Sequence, residues 1–345
     1  MTQEINIGVI GLGGICRTRH VPGFQKIPGV RLLAVANRTQ SSAKRAAEDC
    51  GIPHVCDDWR AVIDRGDINA VVIGTWPYLH CEASVAALTA GKHVFCQARM
   101  ARNRDEAERM YSAAADSGKV AALCPVPIGM RYDRVMARLL ADNAIGALRY
   151  VSVRSLADTW TDARAPITWR KDRRLSGLNM HTFGMYIEVI HRWFGPTRRV
   201  SGETYLYTER RPDDSGVLTP VEIPDQIAAN TTLNNDVPVQ YAISTVSAVA
   251  EDRIDVYGDR GALQYDVNDD ILYITRDGAT TPVDIHPDEA YDVENWRVER
   301  DFVDAIRKGT PYHPDFADGL RYMRVLQGAY DSAASRQAVD VPSNP

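Results

Sequence analysis

Four short stretches of this chain hold residue types that could act together on a small molecule. The first is GVIGLGGICRTRH, residues 8–20, where Gly11 and Gly13 fill the first two places of a G-x-G-x-x-G loop. Cys16, a small residue, stands at the third. Such glycines permit a tight turn and let backbone approach a pyrophosphate, here along Gly11, Leu12, Gly13, Gly14 and Ile15. A helix that follows adds unpaired N–H groups and a positive dipole end. The second stretch is Asn37-Arg38-Thr39, at the end of the next apolar run. A carboxylate there would take the ribose hydroxyls of NAD; a neutral amide followed by a guanidinium suits a 2′-phosphate. NADP(H) is therefore favoured, with NAD(H) as the alternative.

The third stretch is VFCQARMA, residues 94–101, and the fourth is GLNMHTFGMYIEVIHRW, residues 177–193. The Arg99 guanidinium stays protonated, so it cannot be a base, but it can hold a carboxylate bidentately or polarise a carbonyl. His181 is a residue type that titrates near neutrality, and Tyr186 can exchange a proton if a nearby cation lowers its pKa. These three are the candidate catalytic residues.

The elements that must position them follow from apolar patterning. Strands are expected at 5–11, 31–37, 70–75, 93–97 and 120–125, with helical stretches between them, two of which stop at Gly51 and Gly91. Near-continuous apolar strands alternating with helices imply a doubly wound parallel sheet, an α/β Rossmann domain over residues 1–124. Beyond it, β-branched alternating segments such as LRYVSVRSLA, PVQYAISTVSAV and ALQYDVNDDILYIT imply a large, mostly antiparallel open sheet. Asn234-Asn235-Asp236 and Arg276-Asp277-Gly278 supply hairpin turns, and helices are expected near 131–143, 180–194, 293–308 and 316–334. Residues 125–345 thus form an α+β domain, with the tail after Ala338 as a surface strap. An open sheet of that size needs cover, so a homo-oligomer, dimer or tetramer, is expected through it.

Composition narrows the class. With 345 residues, 25% charged, and a net charge of −5, nothing attracts nucleic acid or an anionic membrane. No apolar run approaches the roughly 20 residues needed to span a bilayer, and the start lacks a signal peptide, so a cytoplasmic protein is expected. All six cysteines lie in the first 124 residues without a C-x-x-C pair, which argues for buried thiols and against a zinc site.

With these residues in view, the chain resembles the Gfo/Idh/MocA family, the glucose–fructose oxidoreductase and inositol dehydrogenase group. The likeness lies in the glycine loop, in GTWPYLHCEASVAALTAGKHVFCQARMA, in HRWFG, in VYGDRGAL and in the closing FADGLRYMRVLQGAYDSA. It implies a nicotinamide cofactor and a sugar, polyol or sugar-acid substrate. By the same resemblance Thr75, Trp76, Pro77 and His80 line the cofactor, and Gln97 and Ala98 stand where the family carries Glu-Lys, near the nicotinamide. The departures concern chemistry. The family lysine is Ala98, the proline after it is Arg99, and the family's D-x-G-x-H places hold Thr182 and Tyr186.

Three readings fit a kept cofactor site beside a changed catalytic set. One is an oxidoreductase using Arg99, His181 and Tyr186. The second is a glycosidase or lyase that uses the dinucleotide transiently, and the third is a non-catalytic sensor or partner subunit. Lys171, within the basic stretch TWRKDRRLSG, is a candidate for the missing ammonium, and Arg131 and Tyr132 are weaker substrate-side candidates. Asp57-Asp58 and Asp269-Asp270 read as turn residues, and no His/Asp cluster suggests a metal.

Overall fold

Six short apolar runs pair in parallel: Ile5–Ile10 (β1), Val30–Ala36 (β2), His54–Val55 (β3), Ala70–Ile73 (β4), His93–Cys96 (β5) and Ala121–Leu123 (β6). Their order, β3-β2-β1-β4-β5-β6, is that of a doubly wound sheet. β4 is buried along its whole length, as a strand covered on both faces must be. β3 escaped the sequence reading, because two residues at a sheet edge are too few to show a period. The helices between strands stop where expected, at Gly51 and Gly91, both with positive φ (66° and 73°). The computed structural model describes residues 3–125, 130–285, 296–342 and 344.

The chain divides into two compact units, Met1–Pro125 with Arg297–Leu320, and Val126–Trp296 with Arg321–Pro345. Residues Arg297–Leu320, expected within the second domain, thus group with the first unit. The helix Val298–Lys308 returns to the first unit because its apolar side, Val298, Phe302 and Ala305, repeats at helical spacing and needs cover. Phe302 meets Phe95 of β5 edge-on at 5.5 Å and Phe24 at 6.2 Å. The helix expected from residue 293 begins at Val298; residues 293–295 lie outside the described residues.

The second unit is built on nine strands: Leu148–Leu156 (β7), Thr197–Tyr205 (β8), Gln226–Leu233, Pro238–Ser244, Glu251–Gly258, Gly261–Asp266, Ile271–Arg276, Ala279–Pro282 and Val339–Asp340. All neighbours are antiparallel except β7 with Pro238–Ser244. Asp236 and the Asp277-Gly278 pair, all at positive φ, make the two expected hairpins. The tail is a short strand on β8. One sheet face packs on helices: Phe183 of Phe183–Phe194 meets Tyr241 of Pro238–Ser244 edge-on at 5.5 Å, and Gly328 of Phe316–Ser335 lies against Val200 of β8. The other face is polar and aromatic, with Tyr150 stacked on Tyr257 at 5.9 Å and hydrogen-bonded to Gln240. Among the described residues no helix is long and apolar enough to cross a membrane.

Candidate functional site

The parallel strands of the first unit end together, and their ladder continues into the motif loops. Gly11 N donates to Ala36 O, Gly74 N to Ile10 O, and Gln97 N to Ile73 O, at 2.8–2.9 Å. Gly11 has φ +83°, and a Cβ there would press on Thr75 backbone N at 2.8 Å. The third place of the glycine motif is explained by Gly74: a Cβ at Gly74 would fall 2.1 Å from Cys16 Sγ. Close approach of helix and strand is thus kept, with the missing hydrogen-only side chain moved from position 16 to position 74. Burial pushes the Cys16 thiol up to about 12, so it is an inert packing group. Beside Gly14 no atom lies within 4 Å of where a Cβ would be, which leaves the room a phosphate backbone requires.

A cavity of about 480 Å³ opens at these strand ends, lined by Gly11, Leu12, Gly13, Asn37, Arg38 and Trp76 among others. Its size suits a nucleoside moiety. Asn37 works mainly as a clamp: its Oδ1 accepts from Leu12 N at 2.7 Å and its Nδ2 donates to Ser42 O. Arg38 is exposed and stacks its guanidinium over the Trp76 ring, 5.5 Å from the centroid. Thr39 caps the helix Gln40–Cys50 through Ser42 N. Asp57 and Asp58, read from sequence as turn residues, also line this cavity, and Asp58 additionally caps Ala61 N. Thr75 lies on the same wall, while Pro77 is the buried first residue of the helix Pro77–Thr89.

His80 stands behind that wall. It is fully buried, Nε2 meets Thr75 O at 2.9 Å, and Nδ1 meets Arg99 O at 2.8 Å. Burial lowers its pKa while the facing carbonyls act in the opposite sense, and the ring works as a strut between the ends of β4 and β5. Both ring nitrogens face backbone carbonyls, so His80 packs behind the cavity wall.

Gln97 is held by two residues the sequence reading passed over. Its Nε2 donates to His20 Nε2 at 2.5 Å, and His20 Nδ1 lies 2.5 Å from Glu299 Oε1. The Gln97 Oε1 accepts from Ala98 N at 3.1 Å, which sets the amide's orientation. The consistent proton placement puts hydrogen on His20 Nδ1, toward Glu299. Glu299 is brought here by the displaced helix Val298–Lys308, some 279 residues away in sequence. No local pattern signals it; His20, at the end of the glycine-loop helix, was legible as a polar residue on a buried turn. Ala98 and Arg99 are half-buried at the end of β5.

In the second unit Thr182 is the N-cap of the helix Phe183–Phe194, and His181 before it has φ +40°. Tyr186, one turn on, is 1% exposed. Burial and the neighbouring Asp252 push its hydroxyl well above the usual tyrosine range. That is opposite to the lowering on which the sequence expectation for Tyr186 relied. Thr182 Oγ1 donates to Ser155 Oγ at 2.7 Å, and Ser155 stands opposite Asp252 in the strand register.

Two weaker candidates are corrected. Lys171 is 2% exposed, its ammonium paired with Asp225 Oδ1 at 2.6 Å and with Pro224 O at 3.1 Å. It braces its loop and offers no open charge. Tyr132 is a core residue, its ring tilted against Tyr265 at 5.5 Å with its hydroxyl on Val283 O, while Arg131 is exposed. The linker residues 126–129 lie outside the described residues. Among the described residues His313, Asp315 and Asp318 form a trio of metal-ligand types, yet the Asp315 carboxylate caps the helix Phe316–Ser335 by accepting from Ala317 N and Asp318 N, and Asp318 Oδ2 accepts from Asp315 N.

Comparison with known proteins agrees with this geometry. Residues 5–123 match the oxidoreductase family described as an NAD-binding Rossmann fold, and residues 137–341 match its C-terminal alpha/beta domain. Levoglucosan dehydrogenase of Pseudarthrobacter phenanthrenivorans is 26% identical over 99% of both chains. A dTDP-3,4-didehydro-2,6-dideoxy-alpha-D-glucose 3-reductase of Streptomyces antibioticus is 25% identical over 91% of this chain and 93% of its own. A solved structure of levoglucosan dehydrogenase with NADH and levoglucosan shares the fold, with a TM-score of 0.89 and 24% identity over 99% of this chain and 100% of that one. With both of its domains matched in order, the chain belongs to the Gfo/Idh/MocA family of oxidoreductases.

Proposed function

We propose that the protein is an NAD(P)-dependent dehydrogenase or reductase acting on a sugar, polyol or sugar acid. The observation that carries this is the cavity at the ends of β1, β2 and β4, walled by the glycine loop, in a chain of this family. The cofactor, when bound, supplies the hydride acceptor or donor. The chain's part is to seat it along Gly11–Ile15, to hold its ribose near Gln97 and to fix the substrate with Arg99. That guanidinium binds a carboxylate or carbonyl oxygen and offsets negative charge developing there. Relatives act on levoglucosan and on a nucleotide-linked deoxysugar, which favours a polyol-like ligand here.

A preference for NADP(H) rests on Arg38, exposed at the end of β2 where a carboxylate would select NAD. Asp57 and Asp58 share the cavity and oppose a further phosphate, so the preference is modest, about 10–100-fold. The polar, aromatic outer face of the second sheet is the expected homo-oligomer surface. Six free cysteines accord with a reducing, cytoplasmic setting.

The test is spectrophotometric turnover of NADP+ and NAD+ with levoglucosan, inositol and a panel of sugar acids, beside calorimetric binding of NADPH and NADH. Turnover with tighter NADPH binding, the latter abolished in Arg38→Ala, is the expected result. Equal affinities remove the NADP(H) preference, and product without net redox replaces steady dehydrogenation by transient use of the cofactor.

A further inference from the structure

A buried carboxylate lies two hydrogen bonds behind the end of β5, and Gln97, His20 and Glu299 all belong to the first unit. Glu299 is 2% exposed, and burying a carboxylate costs free energy unless it is hydrogen-bonded. The helix Val21–Gln25 makes room for it with Gly23, where a Cβ would stand 2.6 Å from Glu299 Oε2. Glycine is a poor helix former, so this space is kept against local preference. The direction of each hydrogen bond follows from Gln97. Its Oε1 accepts from Ala98 N, so the amide NH2 faces His20, and His20 Nε2 must accept. The ring hydrogen is then on Nδ1, donated to Glu299 Oε1. A neutral ring thus stands between a neutral amide and a carboxylate. The family resemblance calls for a glutamate at position 97; here a carboxylate stands at position 299 instead, behind the ring and the amide.

The cavity at the ends of β1, β2 and β4, read as a dinucleotide site, takes one nucleoside beside Asn37 and Arg38, and the glycine loop after β1 takes the pyrophosphate. The other half of the cofactor then extends to the opposite side of β1, where β4 and β5 lie. His20 ends the helical turn Cys16–His20 that follows the same loop. The Glu299 charge reaches this turn, since it helps to push up the Cys16 thiol. We infer that Glu299, acting through His20 and Gln97, sets the balance between oxidised and reduced cofactor and favours the oxidised form. This rests on the dinucleotide reading and names what these three residues add to it. A nicotinamide ring is positively charged when oxidised and neutral when reduced, whereas the phosphates, riboses and adenine are alike in both. A fixed buried carboxylate on that side of the sheet therefore stabilises the oxidised form selectively. Glu299 and His20 are positioning residues, acting through Gln97 and through the field of the carboxylate.

The experiment measures NADP+ and NADPH binding separately by calorimetry, with the full chain and without substrate. Glu299→Gln keeps an oxygen for His20 Nδ1 and removes the charge. It is expected to weaken NADP+ roughly tenfold and NADPH by less than about twofold. That change in the ratio of the two dissociation constants corresponds to about 30 mV for a two-electron couple. A second variant combines Glu299→Gln with Gln97→Glu. It reverses both hydrogen bonds to the ring, keeps the ring neutral and brings the carboxylate to the strand end. Its ratio is expected to shift beyond the parent's toward tighter NADP+. A ratio unmoved in Glu299→Gln, whether both forms weaken equally or neither does, makes the carboxylate a structural brace and overturns the inference. If Glu299→Gln fails to fold, the double variant decides: a ratio beyond the parent's toward NADP+ keeps the inference, and any other ratio removes it. A parent protein that binds neither form removes the dinucleotide reading and the inference with it, whereas binding with an unmoved ratio removes the inference alone.

Discussion

Gln97→Glu exchanges one amide NH2 for one oxygen and restores the residue the family resemblance expects. In the folded chain that atom faces His20 Nε2 at 2.5 Å, and the other ring nitrogen is on Glu299 at the same distance. Gln97, His20 and Glu299 are 6%, 1% and 2% exposed, so water cannot relieve a mismatch. A carboxylate at 97 either opposes the ring's lone pair or forces a second proton onto the imidazole between two carboxylates. An uncompensated buried charge costs about 3–5 kcal/mol. Taking up the proton instead raises the folded-state pKa of the variant's ring above the unfolded value of about 6.5. The sign follows from the raised pKa: the variant is close to parent stability below about pH 6.5 and loses about 1.4 kcal/mol per unit as pH rises, until the 3–5 kcal/mol limit. Urea unfolding of both proteins near pH 6 and near pH 9 should show a stability difference that grows by about 3 kcal/mol. Weakened NADPH binding at the higher pH should accompany it. A difference below about 0.5 kcal/mol at both pH values would refute the reasoning, because Gln97 and His20 would then not share a proton-defined contact.

Other outcomes follow from the same geometry. Gly74→Ala should weaken NADPH binding at least tenfold by calorimetry, since its Cβ meets Cys16 Sγ and the Gly11 carbonyl; Cys16→Ala should restore only part, because the carbonyl stays. His93, whose pKa burial pushes down to about 4 while its Nδ1 accepts from Val120 N, contributes stability that is full above about pH 6.5 and lost as pH falls to about 4. After solvent screening of this half-buried ring the loss is about 1–2 kcal/mol, and His93→Asn should flatten that limb of the stability profile. Lys171→Met should cost about 3–5 kcal/mol in urea unfolding by stranding Asp225, with kcat unchanged; a collapse of kcat would make Lys171 the missing ammonium. Arg99→Ala should lower kcat/KM by about 2–4 kcal/mol with cofactor binding kept, and Arg99→Lys should lower it less.

What the chain alone determined is everything carried by short-range pattern. The glycine loop after an apolar strand, the stops at Gly51 and Gly91 and the Asp277-Gly278 hairpin each depend on a few adjacent residues whose backbone preferences act locally. The order of motifs along the chain was enough to show the family resemblance. The tertiary structure decided what depends on partners distant in sequence. It returned the helix Val298–Lys308 to the first unit, because only packing shows which core covers a given apolar stripe. It set Glu299 behind His20 and Gln97, buried Lys171 on Asp225, clamped Asn37 to Leu12 N beside the cavity and held His80 between backbone carbonyls. It also set Asp252 opposite Ser155 through the register of one strand on β7. Charges and amides have no periodic signature; their roles are fixed by whichever group they face once the chain has folded.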